Sequence, residues 1–569
     1  MRTLRRRTLF KYGAAAGGAA LLSPYLSRVP VADASMGGSL TKYVEPLPLP
    51  GAGIVVATPR SVRSGLTKYA FTQVPISRQL HPDLPPTPLW AYDDGTGLAG
   101  QAGSFGMAVI AQSGAPLQID YTNRLPQRYP SWIPVDTRLT PLGGQVRVMT
   151  HLHGGFVAAH SDGNPAITPN GFGFGQTQTV SYPNESPQTP ATLLWFHDHG
   201  LGTTRLNVFA GLAAAYLVRD EYDTGGPDNA NGLPSGAYEI PLVIQDRQFG
   251  RDGTFLYPRS DIPGVTWIGE YFGDVMLVNG KVWPFLNVEP RLYRFRILNG
   301  CNARIMNLDM GGGRMWQIGS EGGMWTQAVP VKGLILAPAE RADVLVDFSQ
   351  LAGQTTQLKN SSLPPGVSNP SPILNQVMQL RVANTTPVAP TIPSTLIGGR
   401  DANLPAPATK RFITLNEVAP ETAQWRLTLN GAPFEDAPTE TPTAGTIEDW
   451  YYINLTEDTH PMHPHLVTHQ VVGRVPFDVA AYIAAAGIGP NGVRGGVDPT
   501  PFATGRMLAA DPTERGFKDT VKANPGTFTI IRAKFDLPSH VRAPQRYVHH
   551  CHIVEHEDND MMRPYDVIA

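Results

Sequence analysis

Hydrophobic and polar residues alternate over short stretches of this chain, and glycine and proline separate the stretches. Within 292–297, Tyr293, Phe295 and Ile297 alternate with Arg294 and Arg296, the period of two expected of a half-buried β-strand. Apolar runs of strand length recur at 145–149, 341–348, 449–455 and 527–533, and Leu193-Leu194 leads into Trp195-Phe196. The 58 Gly and 54 Pro make about a fifth of the chain turn-forming, below the level of a low-complexity sequence. Many short strands joined by tight turns predict all-β sandwiches.

A length of 569 residues fits three or four domains of ordinary size. Glycine and proline cluster near 222–236 and 384–410, and these joints divide the chain into candidate domains at 41–222, 237–386 and 410–569. An apolar content of 41% and a charged content of 16% describe a folded, soluble protein, and a formal net charge of -2 supplies no basic excess for nucleic acid or an anionic membrane. Ahead of the first domain, Arg5-Arg6-Arg7 and Lys11 precede an Ala/Gly-rich apolar run and the triplet Ala32-Asp33-Ala34. That order of basic, apolar and small residues predicts a twin-arginine export signal over 1–34, and with it a periplasmic or extracellular protein. The apolar run is too short and glycine-rich to remain as a membrane anchor.

Histidine is where the chain departs from chance. With 15 His in 569 residues, composition alone gives about 0.4 His-x-His pairs, yet four occur, at 151/153, 197/199, 463/465 and 550/552. On a strand, both imidazoles of such a pair share a face. The last pair brackets Cys551, which then looks the other way. Cys551, His556 and Met561, with one more imidazole for which His460 is the candidate, make the ligand types of a blue-copper electron-transfer site. No histidine lies between His199 and His460, so the metal-like motifs fall in the first and last domains and should meet where those two meet. The only cysteines are Cys301 and Cys551. They allow no disulfide framework, and Cys301 reads as a small buried apolar residue.

From about residue 41 to the end, the order and separation of these motifs resemble the three-domain multicopper oxidases, in particular the bacterial spore-coat laccase and bilirubin oxidase group. The resemblance extends to His81-Pro82-Asp83-Leu84-Pro85-Pro86-Thr87, Leu277-Val278-Asn279-Gly280-Lys281-Val282-Trp283-Pro284 and His556-Glu557-Asp558-Asn559-Asp560-Met561-Met562-Arg563-Pro564. It implies three cupredoxin-like (plastocyanin-like) Greek-key β-sandwich domains and four copper ions. By that resemblance His460, Cys551, His556 and Met561 hold a type 1 copper, and His151 and His463 a type 2 copper. His153, His197, His199, His465, His550 and His552 hold a type 3 pair. His81, His160, His469, His540 and His549 stay uncommitted, with surface or structural roles expected. Pro464 stands between two ligands where the family usually has leucine, and the middle-domain disulfide of some relatives cannot form.

The implied activity is one-electron oxidation of a small aromatic reductant coupled to four-electron reduction of O2 to water, with His556 and Cys551 on the electron path. Asp162 and Glu557 match acidic positions that the family uses as proton relays. Each is equally readable as a solvated carboxylate or as the partner of an arginine such as Arg563. A Cu(I) or Mn(II) oxidase is the alternative, although no methionine-rich insertion is present among the 14 Met. A copper-binding or coat protein without turnover is a third reading.

Overall fold

The computed structural model describes residues 35–97, 107–140, 142–260, 262, 264–418 and 426–569. The export segment expected over 1–34 lies outside them. Strands dominate and assemble as three successive pairs of sheets. In the first pair, Met107–Gln112, Ala213–Arg219, Thr192–Asp198 and Thr150–His153 lie side by side in a six-stranded sheet, opposed by a sheet built on Leu66–Arg78, Leu117–Asn123 and Thr177–Tyr182. The middle pair has seven and five strands. The last has a six-stranded sheet through Ile447–Asn454 and Thr527–Lys534, and a four-stranded sheet in the order Val521–Ala523, His460–Pro464, Gln545–Cys551, Met562–Val567. These are cupredoxin-like sandwiches. Among the described residues no helix is long and apolar enough to cross a membrane.

Register places the histidines. Thr192–Asp198 runs antiparallel to Thr150–His153 with His197 opposite His151, and His460–Pro464 pairs with Gln545–Cys551 so that His463 faces His550 and Met462 faces Cys551. A slip of one residue would send every imidazole to the wrong face.

Two expectations need correction. Residues 145–149 do not form a strand; Gln145 and Val148 make only single bridges, to Arg128 and Phe172. Their main-chain N–H groups go to scattered partners instead of one neighbouring strand: Val146 to the Gln127 carbonyl and Val148 to the Phe172 carbonyl, each at 3.1 Å, and Met149 to Asp198 Oδ2 at 2.8 Å. The alternation at 292–297 does belong to a strand, Leu292–Asn299, but Arg294 and Arg296 face no solvent and are each only 1% exposed. Asp223, Glu239 and Asp343 meet them. A buried charge of this kind needs such partners.

Candidate metal centre

Two clusters of buried donors lie on opposite sides of one strand end. In the first, Cys551 Sγ is 3.5 Å from His460 Nδ1 and 3.8 Å from His556 Nδ1, and the two ring nitrogens are 3.3 Å apart. A triangle with those edges has a centre about 2 Å from each corner, the ordinary length of a metal–ligand bond. Met561 is tied beside it, its carbonyl accepting the Cys551 N–H at 2.9 Å and its N–H donating to the His556 carbonyl at 3.0 Å. The Ile553 N–H points at Cys551 Sγ from 3.4 Å. Burial pushes the Cys551 thiol up, so a thiolate in this site calls for a cation beside it.

The second cluster gathers His151, His153, His197, His199, His463, His465, His550 and His552. Its rings pack closely: His153 on His463 at 3.7 Å and His151 on His465 at 3.9 Å between centroids. His552 sits 4.9 Å from His153 and 5.2 Å from His197. One nitrogen of most rings is engaged outward. The Nδ1 atoms of His151, His463, His197 and His550 meet the main-chain oxygens of Asp162, Asp519, Asp198 and Cys551 at 2.5, 2.7, 2.9 and 3.0 Å. His465 Nδ1 meets Asp162 Oδ2 at 2.8 Å. The other nitrogens turn inward: His151 Nε2, His197 Nε2, His463 Nε2, His153 Nδ1 and both nitrogens of His552 are buried without a partner, and the Nε2 atoms of His199 and His465 lie 3.3 and 3.2 Å from that of His550. Orphaned buried imidazole nitrogens that converge on common points are costly unless something occupies those points. Burial first, and neighbouring imidazoles second, hold His153, His199, His463 and His465 well below their ordinary pKa. The rings are therefore neutral, which is the form that binds a metal.

A multicopper oxidase family model matches residues 405–568. The laccase of Bacillus subtilis (strain 168) is 36% identical over 552 residues, covering 93% of this chain and 99% of that protein. Multicopper oxidase LPR1 of Arabidopsis thaliana is 34% identical, with 93% and 94% covered. Among solved structures, the McoA multicopper oxidase of Aquifex aeolicus superposes with a TM-score of 0.71 at 25% identity, over 93% of this chain and all of that one.

The chain belongs to the multicopper oxidase family. Copper is thus the metal that the family implies, and the convergent nitrogens and the Cys551 triangle fit it, since imidazole and thiolate are the donors copper favours. In this multicopper oxidase every histidine of the four pairs reaches the second cluster, and His460, Cys551 and His556 form the first. Asp162 and Glu557 are both buried. The solvated reading fails for them, and so does pairing with Arg563, whose guanidinium donates to the main-chain oxygens of Pro433 and Ala437. Glu557 instead accepts from Thr204 Oγ1 at 2.7 Å and lies 3.4 Å from His199 Nδ1 and 3.3 Å from His550 Nδ1. Asp162 also needs its neighbour Gly163, at φ +74°, because a Cβ there would come within 2.8 Å of His151 Cα.

Of the uncommitted histidines, His160 is exposed and His540 reaches Glu185 at 3.6 Å. His81 is buried with Nε2 on the Thr41 carbonyl at 2.6 Å, and His469 and His549 are buried too, so their roles are internal. Cys301 is a buried free thiol.

Other residues of the site were not evident in the sequence. Asp198, between two of the histidines, points away from them and accepts from the Met149 and Gly200 N–H groups and Asn207 Nδ2, with burial pushing its carboxyl up to about 7. Thr204 and Arg205 donate to Glu557 and Asp558. Asp519 touches His153 and His463, Glu417 lies 3.6 Å from His460 Nε2, and the charges of Glu417 and Asp458 act on Glu270; nothing in the local spacing of these acids marks them.

Proposed function

We propose that this oxidase is of the laccase type, taking electrons one at a time from phenols, aminophenols or related small aromatics and using them to reduce O2 to water. The observation that carries the reading is the shared strand end of the two clusters: Cys551 belongs to one, and His550 and His552, its immediate neighbours, belong to the other. In the proposed assignment His460, Cys551, His556 and Met561 hold a type 1 copper, and His151 and His463 a type 2 copper. His199, His465 and His550 hold one member of the type 3 pair, and His153, His197 and His552 the other. When bound, copper supplies the redox chemistry, accepting single electrons and delivering four to O2.

The chain's own residues set the conditions. His556 Nε2 has no protein partner, whereas His460 Nε2 meets Thr456 Oγ1 at 2.7 Å. With Nδ1 turned to Cys551, the neutral His556 ring carries its proton on the buried Nε2, so this edge is where a reductant's oxygen would find a donor. Between the clusters an electron crosses only the Cys551 side chain and the adjoining peptide units. Glu557 and Asp162, each in contact with the type 3 or type 2 histidines, are placed to hold and pass protons needed for water formation. Burial pushes the Glu557 carboxyl well up, helped by the Asp558 charge, which favours its protonated form.

The domain division at 41–222, 237–386 and 410–569, and export through the segment 1–34, belong to the same proposal. The test is O2 uptake by the purified, copper-loaded protein with a methoxyphenol as donor. Rapid uptake supports the reading, and none despite full copper would leave a copper-binding protein without turnover.

A second reading has one specific observation behind it. Glu417 Oε1 lies 3.6 Å from His460 Nε2 and has no hydrogen-bond partner, and neither has Glu270 Oε2. Burial, then the Asp458 and Glu417 charges, pushes Glu270 well up, and burial with Glu457 raises Asp458 to about 6. A divalent cation would relieve that crowding, and carboxylates suit Mn(II) rather than soft Cu(I). Uptake of O2 with Mn(II) that is lost in Glu270→Gln and Glu417→Gln, with phenol turnover retained, would favour it.

A further inference from the structure

We propose that Arg341, in the histidine-free middle domain, is a positioning residue for the histidine cluster, acting through Asp519 on His153 and His463. The inference rests on the reading of those two histidines as copper ligands.

Arg341 opens the strand Arg341–Asp347 and is 2% exposed. Its Nη1 and Nη2 donate to Asp519 Oδ1 and Oδ2 at 2.8 and 2.6 Å, a two-pronged grip that only a guanidinium makes. Its Nε donates at 3.0 Å to the carbonyl of Leu193, on the strand that carries His197. One side chain therefore joins all three sheet pairs.

Asp519 in turn sets two rings. Its main-chain oxygen takes His463 Nδ1 at 2.7 Å, and its Oδ1 lies 3.1 Å from His153 Nε2. Thr520 Oγ1 lies at the same distance from His153 Nε2 and 3.0 Å from Asp519 Oδ1. With those nitrogens engaged, His463 Nε2 and His153 Nδ1 are left free. A hydrogen bond to one ring nitrogen fixes which nitrogen is offered to a metal, and at what angle. His153, His463 and Asp519 also lie close enough to share an ion. Both carboxylate oxygens already accept from Arg341, so Asp519 acts as a partner of the histidines.

The backbone is shaped for this contact. Gly154 follows His153 at φ +83°, and a Cβ there would stand 2.5 Å from Asp519 Oδ2 and 2.9 Å from Arg341 Nη2. Only glycine lets the pair come this close to the turn after His153.

The flanking contacts supply a control. Lys518 Nζ pairs with Glu321 at 2.8 Å and Lys522 Nζ with Glu340 at 2.7 Å, so the middle domain reads the segment 518–522 through opposite charges on each side of Asp519. Those pairs hold the segment without touching a histidine of the cluster; Lys518 meets only His469, through its main chain. Only the Arg341–Asp519 pair does both.

The test compares full-length, copper-loaded wild type with Arg341→Gln, Arg341→Lys and Glu340→Gln. Copper per chain, the type 2 paramagnetic resonance signal, the visible absorption of the Cys551 site and Tm are measured in each. Arg341→Gln should weaken copper binding about 10- to 100-fold at the type 2 position, through His463, and at the type 3 position that His153 shares, read as the type 2 signal and copper per chain, while the Cys551 absorption per folded chain is retained. Arg341→Lys keeps the charge but loses the second prong, and should fall between; it carries the test if Arg341→Gln does not fold. Glu340→Gln should lower Tm and keep the type 2 signal. Undiminished type 2 affinity in whichever arginine variants fold, or loss of the type 2 signal and the Cys551 absorption together in step with Tm, would overturn the inference alone. Wild type without a type 2 signal would overturn the ligand reading and this inference with it.

Discussion

His550 donates its Nδ1–H to the main-chain carbonyl of Cys551 across 3.0 Å, while its Nε2 looks into the histidine cluster and the Cys551 thiol looks into the other site. Two consecutive residues thus belong to different metal sites and are joined by a hydrogen bond as well as by a peptide unit. Cys551→Ser should keep the copper bound by the histidine cluster but lose the thiolate-to-copper absorption and turnover with aromatic donors. Copper analysis beside the visible spectrum checks this. A variant that still oxidises the donor at the wild-type rate would remove Cys551 from the electron path.

Glu557 is held by Thr204 Oγ1 and faces the Nδ1 atoms of His199 and His550. Glu557→Gln keeps the shape and removes the exchangeable acid. O2 reduction should slow about 10²- to 10⁴-fold with the absorption of the Cys551 site unchanged, as stopped-flow reoxidation would show.

Copper removal should destabilise the fold. The inward nitrogens of the cluster have no protein partner, so copper that binds the folded chain and not the unfolded one adds stability, about 4 kcal/mol at a thousandfold excess over Kd. Calorimetry should show a lower Tm after chelation, restored by adding copper back. An unchanged Tm would mean that the nitrogens are satisfied some other way.

The middle domain sets an acid limit. Burial pushes the Asp223 carboxyl up, but the Arg294 and Arg296 charges outweigh it and hold it well below the carboxylate range; the same balance brings Glu239 to about 2. For depressed carboxylates the stabilisation is complete above the unfolded values, about 4, and is lost as pH falls through the folded ones. Denaturant midpoints should hold down to about pH 4 and drop steeply towards pH 2 and below. Asp223→Asn leaves buried arginine charge uncompensated and should cost about 3–5 kcal/mol at neutral pH, with a flatter acid limb.

How much of this was legible in the sequence follows from how local each signal is. The four His-x-His pairs and Cys551 could be read directly, because a strand's period of two carries spacing into geometry, and the structure brings those residues together. The absence of histidine from the middle segment suggested a domain without part in the site. Arg341 lies 178 residues from Asp519, and no periodicity reports such a partner. The arginines at 294 and 296 were misread for the same reason: alternation shows that they share a face, while the carboxylates that bury that face come from 223, 239 and 343. At 145–149 the apolar run was real, but its N–H groups are shared among Gln127, Phe172 and the Asp198 side chain, distant in sequence, and no single strand lies alongside to take them.

The most direct test of the central claim is the stoichiometry of O2 uptake by the copper-loaded protein with a methoxyphenol as the only donor. A laccase-type oxidase consumes one O2 for every four donor molecules oxidised by one electron and releases no hydrogen peroxide. Uptake in a one-to-two ratio with peroxide accumulating, or no uptake from a fully loaded protein, would contradict it.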